Sequence, residues 1–218
     1  MAQFQYFTTL QFDAIWILAH IASGGTEEQT AAIVEADSIP HLIRLLNSEN
    51  KEIVGQALLG LAHIINKNAK NRDKCINAGI VPALVKLATS ESSNIAINRN
   101  IAWTLKNICK YSNSNDFVPI QVIQEILPLF SKFLKNEDSL ILSETLMGIA
   151  NCGNGSDIRI QTIINHQNIV KEVIPFLKSF NSKIQHSAFN VIKVIANGNI
   201  QQRHEFMTNW SNFENLFV

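Results

Sequence analysis

The sequence repeats itself at a nearly constant interval of 43 or 44 residues. Five similar segments share a reference position that recurs at this interval, and a second position four residues later recurs in step with it. A period of about 40 to 47 residues in an all-helical pattern is typical of stacked helical repeats. The interval therefore predicts a solenoid, in which each repeat packs against its neighbours instead of around one central core. The reference positions are Trp16, Leu59, Trp103, Met147 and Asn190, and the second positions are His20, His63, Asn107, Asn151 and Val194.

Each repeat is predicted to contain two short helices and a longer third helix that carries both positions. Four prolines precede apolar residues at helical spacing. Because proline is well tolerated in the first turn of a helix, each one is predicted to mark the start of a second helix. Gly79 suits the end of the helix before it. The prolines are Pro40, Pro82, Pro128 and Pro175, and the third helices are predicted at about 10–23, 51–66, 94–110, 139–152 and 182–197.

This organisation predicts one all-α domain over residues 1–218, of the armadillo or HEAT type. The domain comprises the third helix of one repeat, four complete three-helix repeats, and the first two helices of a further repeat. Hydrophobic residues make up 46% of the chain and charged residues 17%, which favours a folded core over disorder. The loops are rich in Gly, Ser and Asn, and we attribute the abundance of Asn and Ile in the chain to codon bias and not to chemistry.

Charge and cysteine usage argue against several functions. The 18 basic and 18 acidic side chains cancel, which argues against nucleic acid as the main partner. Cys75, Cys109 and Cys152 form no C-x-x-C motif, so neither a disulfide framework nor a zinc site is predicted. The sequence contains no catalytic or phosphate-binding motif. We therefore expect no enzyme activity, no cofactor and no metal.

The start of the chain resembles neither a secretion signal nor a membrane span. The first twelve residues are apolar but lack a basic beginning, and Asp13 interrupts them well short of the length that a membrane span needs. A soluble intracellular protein is therefore predicted, with no membrane partner. We expect a monomer. End-to-end association is the alternative, because neither end offers a polar capping repeat.

The third helices are predicted to line a groove that binds an extended peptide. Residues at i, i+4 and i−3 share one helix face, so a polar row three residues before the reference position joins the other two rows. Asn amides can pair with a peptide backbone, and Trp rings can hold Lys or Arg side chains through cation–π attraction of about 0.5 to 2 kcal/mol. His20 and His63 are not expected to share a metal ion, because neighbouring helices lie about 8 to 10 Å apart. The polar row is Asp13, Gln56, Asn100, Glu144 and Ser187.

Several segments resemble the armadillo repeats of importin-α, the adaptor that binds basic nuclear localisation signals. They include QFDAIWILAHIASGG, IVGQALLGLAHI and NRNIAWTLKNICK, and the resemblance extends over nearly the whole chain. It implies a right-handed armadillo-repeat superhelix, a role in protein import into the nucleus, and a location in cytoplasm and nucleus. In that family, Trp and Asn four residues apart on each third helix form the signal-binding groove, and Trp103 and Asn107 keep this pair. The predicted peptide-binding residues are Trp16, His20, Gly24, Thr30, Gln56, His63, Asn100, Trp103, Asn107, Glu144 and Asn151.

The chain departs from the family pattern at other positions. Leu59 and Met147 replace Trp, and Lys67 aligns with the acidic residue that receives the key lysine of the signal. A cation at that place would repel a ligand lysine. A basic N-terminal arm of the kind that recruits importin-β is missing, which argues against importin-β as a partner. The alternative is therefore a truncated or degenerate armadillo scaffold for protein–protein interaction that does not read nuclear localisation signals.

Overall fold

The computed structural model describes residues 2–90, 93–110, 117–166 and 168–211, and these residues form helices and no strands. The all-α prediction is confirmed. The first helix is longer than the predicted 10–23, because no Gly or Pro interrupts the chain before its end. The helices are α1 (Ala2–Gly24), α2 (Glu27–Glu35), α3 (Ser38–Leu45), α4 (Lys51–Lys67), α5 (Ala69–Asn77), α6 (Ile80–Thr89), α7 (Ile95–Cys109), α8 (Ile120–Leu134), α9 (Ser139–Gly153), α10 (Asp157–Ile164), α11 (Ile169–Val173) with a 3₁₀ continuation (Ile174–Lys178), α12 (Ser182–Ala196) and α13 (Ile200–Ser211).

The helices divide into two compact units. Unit 1 spans Met1–Ile108 and unit 2 spans Cys109–Val218. In unit 1, α4 packs against α1, α3 and α5, and in unit 2, α9 packs against α8, α10 and α12. A third helix thus lies at the centre of each unit, as expected for repeats that stack on their neighbours. The organisation of residues 1–218 as one domain stays a prediction.

The five predicted third helices are confirmed as α1, α4, α7, α9 and α12. Side chains in the preceding loops cap several of them. The Asn50 side-chain oxygen accepts from the backbone N–H groups of Glu52 and Ile53, and Asp138 and Asn181 cap α9 and α12 in the same way. Such a cap satisfies N–H groups that have no partner within the helix and contributes about 0.5 to 2 kcal/mol. Asn50 and Asn181 therefore have a structural role as caps, whereas the attribution of Asn abundance to codon bias stays a prediction.

A residue in the left-handed backbone region precedes the second helix in three repeats. Asp37 has a φ of 56°, Gly79 of 89° and Asn168 of 63°. Gly adopts this conformation without steric cost, and Asp and Asn tolerate it better than other residues do. These residues turn the chain between the first and second helices, and the predicted role of Gly79 at a helix end is confirmed.

The proline pattern marks two helix starts correctly and two incorrectly. Pro40 and Pro82 lie in the first turns of α3 and α6, as predicted. Pro128 instead lies inside α8, and Pro175 lies in the 3₁₀ segment that continues α11. The prediction is wrong there because both helices begin upstream of their proline. A proline inside a helix removes a hydrogen bond, and α8 tolerates this loss because Pro128 is on its exposed side and apolar residues bury the opposite side.

Apolar side chains of the longer helices form the core of each unit. Leu58 and Leu61 of α4 are fully buried in unit 1, and Phe130 and Phe133 of α8 are buried in unit 2. The Phe130 ring lies against Gly148 of α9, where an added Cβ would be 2.4 Å from the ring Cζ atom. Close packing of this kind allows little change in volume, so a larger residue at position 148 would have to displace the Phe130 ring.

The three cysteines are buried and pack as small core residues. Burial raises the pKa of Cys75 to about 12. The Sγ atoms of Cys109 and Cys152 lie 3.1 Å apart, and burial also raises the pKa of the Cys152 thiol. The buried Arg159 guanidinium donates to the backbone oxygen atoms of Cys152 and Val118. Protonated, buried thiols are poor nucleophiles, so this cluster is structural.

Candidate peptide-binding surfaces

Four rings from three successive third helices lie on one face of unit 1. Trp16 and His20 are four residues apart on α1, which places them on the same side of the helix, and their ring centroids are 3.9 Å apart at an interplanar angle of 31°. His63 of α4 and Trp103 of α7 meet edge to face, with centroids 5.0 Å apart. Trp16 is 43% exposed although it is a large aromatic residue. We call Trp16, His20, His63 and Trp103 the aromatic surface.

The pKa of His63 depends on charged groups of both α1 and α4. Partial burial lowers the pKa of His63, and the charges of Lys67 and His20 lower it further. His63 is therefore held in its neutral form at pH 7, with one ring nitrogen able to donate a hydrogen bond and the other able to accept. The effect of His20 on His63 is consistent with the packing of α1 against α4.

The predicted amide residues of unit 1 differ in accessibility. Gln56 and Asn100 are half-buried, whereas Asn107, one turn beyond Trp103, is only 3% exposed. The Asn107 Nδ2 atom has no hydrogen-bond partner among the described residues. A buried donor without an acceptor costs about 1 to 3 kcal/mol. Because the Nδ2 atom is buried, an acceptor outside the protein could reach it only after the neighbouring side chains move.

The predicted residues at the end of α1 also differ. Gly24 is exposed, but Thr30 is fully buried, and its hydroxyl donates to the backbone oxygen of Thr26 at 3.1 Å. This placement argues against direct contact between the Thr30 side chain and a ligand. The buried hydroxyl could not be recognised from the sequence, because Thr occurs both at surfaces and in capped helix starts.

A contact that the sequence did not predict joins the ends of α1 and α4. Lys67 Nζ donates to the backbone oxygen of Gly25 at 2.7 Å. The Gly25 N–H in turn donates to the Ile21 oxygen at 2.8 Å and so continues the last turn of α1. The paired glycines at 24 and 25 are typical of a helix end with exposed carbonyl groups, and this is the one signal in the sequence that points to an acceptor here.

The equivalent face of unit 2 has a different composition. Met147 and Asn190 occupy the reference positions, and Asn190 Nδ2 contacts the Met147 Sδ atom at 3.4 Å. The predicted site residue Glu144 lies 3.6 Å from Lys183 Nζ, and the predicted Asn151 is half-buried. Two reference positions thus contact each other in unit 2, where unit 1 presents aromatic rings.

The described residues give no support to other kinds of site. None of them form a group of three or more His, Cys, Asp or Glu that could hold a metal ion. None of the helices described in this chain is long and apolar enough to cross a membrane.

Comparison with known proteins defines the class. The Armadillo/beta-catenin-like repeat family model matches residues 26–65 and 68–110. The designed armadillo repeat protein YIII(Dq)4CqI has a TM-score of 0.80 and 26% identity over 90% of this chain and 80% of its own. A second design, YIII(Dq.V1)4CPAF, solved in complex with the peptide (KR)4, has a TM-score of 0.79 and 26% identity over the same shares. The chain is therefore an armadillo-repeat protein, and the predicted fold class is confirmed.

The similar curated proteins narrow this class. Importin subunit alpha-6 of Arabidopsis thaliana is 30% identical over 159 residues, which cover 73% of this chain and 29% of the relative. Importin subunit alpha-1b of Oryza sativa subsp. japonica is 25% identical over 194 residues, 88% of this chain and 35% of the relative. The chain is a divergent importin-alpha-like armadillo protein, as the resemblance predicted. It spans about a third of the length of these curated relatives.

Proposed function

We propose that this protein is a non-enzymatic adaptor that binds extended peptides carrying Lys or Arg on the aromatic surface of unit 1. One observation carries the proposal: Trp16 and His20 stack on each other, and His63 and Trp103 meet edge to face, on successive third helices. Exposed ring faces attract cationic side chains by about 0.5 to 2 kcal/mol each. Two ring pairs on packed helices offer a peptide more than one place for a cationic side chain.

The polar residues complete the proposed recognition of a peptide. Gln56 and Asn100 are half-buried on the helices that carry the rings. An extended peptide leaves its backbone N–H and C=O groups unpaired, and side-chain amides can satisfy both. Asn107 Nδ2 is buried and lacks a partner among the described residues, so it can donate to a peptide carbonyl only if the side chains around it move.

Two comparisons support a basic ligand. A similar designed armadillo protein binds the peptide (KR)4, and the similar curated proteins are importin alpha subunits. By this analogy the adaptor takes part in nuclear import and is found in cytoplasm and nucleus. The peptide-binding roles of Glu144 and Asn151 in unit 2 are a lesser part of the proposal, because Glu144 already lies 3.6 Å from Lys183.

The alternative function is an armadillo scaffold that does not read nuclear localisation signals. Leu59 at a reference position, together with the contact between Met147 and Asn190, favours it, because these positions offer no ring to a cation. A scaffold of this kind would bind a partner protein through the same helices but without selection for basic residues.

Calorimetric titration with (KR)4 separates the two functions. We expect the wild-type protein to bind with micromolar affinity and the double variant Trp103→Ala, Asn107→Ala to lose binding. The control variant Phe180→Ala removes a ring that is fully exposed in unit 2, and it should bind as the wild type does. Absence of any binding to the wild type would favour the scaffold.

A further inference from the structure

A backbone carbonyl holds the Lys67 ammonium. Lys67 is the last residue of α4, and its Nζ atom donates to the oxygen of Gly25, directly after α1, at 2.7 Å. Carbonyl groups at the C-terminal end of a helix have no partner within the helix and carry partial negative charge. This end of α1 is therefore a cation site, and its cation comes from the chain itself.

The occupied site adjoins the aromatic surface. Lys67 lies one turn beyond His63 on α4, and its charge contributes to the lowered pKa of His63. Gly25 lies a little more than one turn beyond His20 along the chain. A ligand ammonium that passed His63 would find the Gly25 oxygen already bonded and a like charge next to it, and both effects oppose its binding.

We propose that Lys67 is the built-in occupant of the cation site at the end of α1, so that the ligand carries a neutral or acidic residue where it faces Lys67. This inference rests on the proposed function and adds to it the charge pattern of the ligand. Basic side chains bind at Trp16 and Trp103, and the residue between them is not a cation. With neighbouring helices about 8 to 10 Å apart, the two Trp rings are separated by roughly 16 to 20 Å, which an extended peptide covers in about five or six residues.

The test measures two octapeptides against charge variants of the protein. The first peptide is (KR)4, and the second is KRKQERKR, in which the two central residues are Gln and Glu. We expect Lys67→Gln to tighten (KR)4 about fivefold, because a like charge near the surface is removed, and Lys67→Asp to tighten it further. The same two variants should weaken KRKQERKR, since its Glu loses a cationic partner. Lys70→Gln, which removes an exposed lysine of α5, should leave both affinities within twofold.

The outcomes separate this inference from the proposed function. Binding of (KR)4 that depends on Trp103 and Asn107 but is unchanged or weakened by Lys67→Gln overturns the inference alone. Failure of the wild type and of every Lys67 variant to bind either peptide overturns the proposed function and the inference together. A crossed response, in which one peptide gains and the other loses affinity, supports both.

Amine labelling of the wild-type protein provides a second measurement that needs no variant and no peptide. The bond to Gly25 should protect the Lys67 amine, so mass spectrometry should find its acetylation several times slower than that of the exposed Lys70. Equal labelling of the two lysines would show that Lys67 does not hold the site, whatever the binding data are.

Discussion

Units 1 and 2 share the repeat length of 43 or 44 residues but present different surfaces. Unit 1 presents rings from three third helices and holds the Lys67 ammonium on a backbone carbonyl at 2.7 Å. In unit 2 the Met147 and Asn190 side chains contact each other, and Lys183 lies 3.6 Å from Glu144. The comparison indicates that buried core positions of this protein accept fewer residue types than the half-buried and exposed reference positions do.

The physical reason for this difference is burial. A fully buried ring such as Phe130 contacts atoms on all sides, and Gly148 lies where no larger residue fits without movement. The reference positions are half-buried or exposed, so a change from Trp to Leu, Met or Asn alters few contacts within the fold. Surface substitutions away from special features usually change stability by less than about 0.5 kcal/mol.

The largest expected effect tests the core of unit 2. Phe130→Ala should reduce the free energy of unfolding by about 3 to 5 kcal/mol, because it removes a fully buried ring and leaves a cavity. Urea unfolding followed by circular dichroism measures this change. Phe180→Ala, which removes a fully exposed ring, is the matched control and should have almost no effect. Similar losses for the two variants would contradict the importance of burial.

The next effect compares the reference positions of the two units. Trp103→Ala should weaken (KR)4 by about 0.5 to 2 kcal/mol, the loss of one cation–π contact, and Met147→Ala should change the affinity less than twofold. Titration calorimetry of both variants gives the comparison directly. An equal loss in both would show that the peptide depends on unit 2 as much as on the aromatic surface.

A smaller effect is expected for the ion pair of unit 2. The Lys183 side chain is 59% exposed and the Glu144 side chain 17% exposed. Because water screens the lysine, we expect the pair to contribute about 0.2 to 1 kcal/mol, as exposed ion pairs do. Lys183→Gln should therefore lower the free energy of unfolding by no more than this, and the difference should shrink at high salt. Its effect on (KR)4 affinity should be smaller than that of Lys67→Gln. A larger effect would mean that Glu144 takes part in ligand binding more than the exposed pair suggests.

The smallest effect concerns pH. Because the pKa of His63 in the folded protein lies below its ordinary value of about 6.5, the neutral form stabilises unit 1 above that value. This stabilisation is lost as the pH falls through the lowered pKa. Protonated His63 would add a positive charge close to Lys67 and repel a cationic ligand, so (KR)4 affinity should fall as the pH falls through the lowered pKa of His63.

The matched variant for this prediction is His63→Gln, which keeps a polar side chain that does not titrate. It should reduce the pH dependence of (KR)4 binding, and it should also weaken binding near pH 7.5 because it removes one ring of the aromatic surface. The pH dependence of stability should persist in part, because burial also lowers the pKa of His166 in unit 2. An unchanged binding profile would exclude His63 as the titrating group.

The features that recur with the repeat of 43 or 44 residues could be predicted from the sequence. The third helices and the left-handed turn at Gly79 depend on local patterns, namely apolar spacing and glycine at a helix end. The starts of the helices that contain Pro128 and Pro175 could not be predicted, because a proline does not reveal whether its helix has already begun. Local patterns therefore located the repeats better than the boundaries within them.

The candidate site was less predictable, because it depends on contacts between helices. The sequence placed Trp16, His20, His63 and Trp103 in matching rows but could not give their pairing across helices. Thr30 and Asn107 were predicted to bind the peptide at the surface, whereas both side chains are buried. The bond from Lys67 to Gly25 joins residues 42 positions apart, and no local pattern specifies such a bond.

The bond between Lys67 and Gly25 also limits how this protein can evolve. One ammonium both closes the end of α1 and sets the charge that a ligand meets, so a mutation cannot change one property without the other. A change to an acidic residue would attract a lysine in the ligand but would leave the helix end without its cation. Since proteins are only marginally stable, we expect lineages that gain a lysine-binding residue here to acquire a compensating substitution near the end of α1.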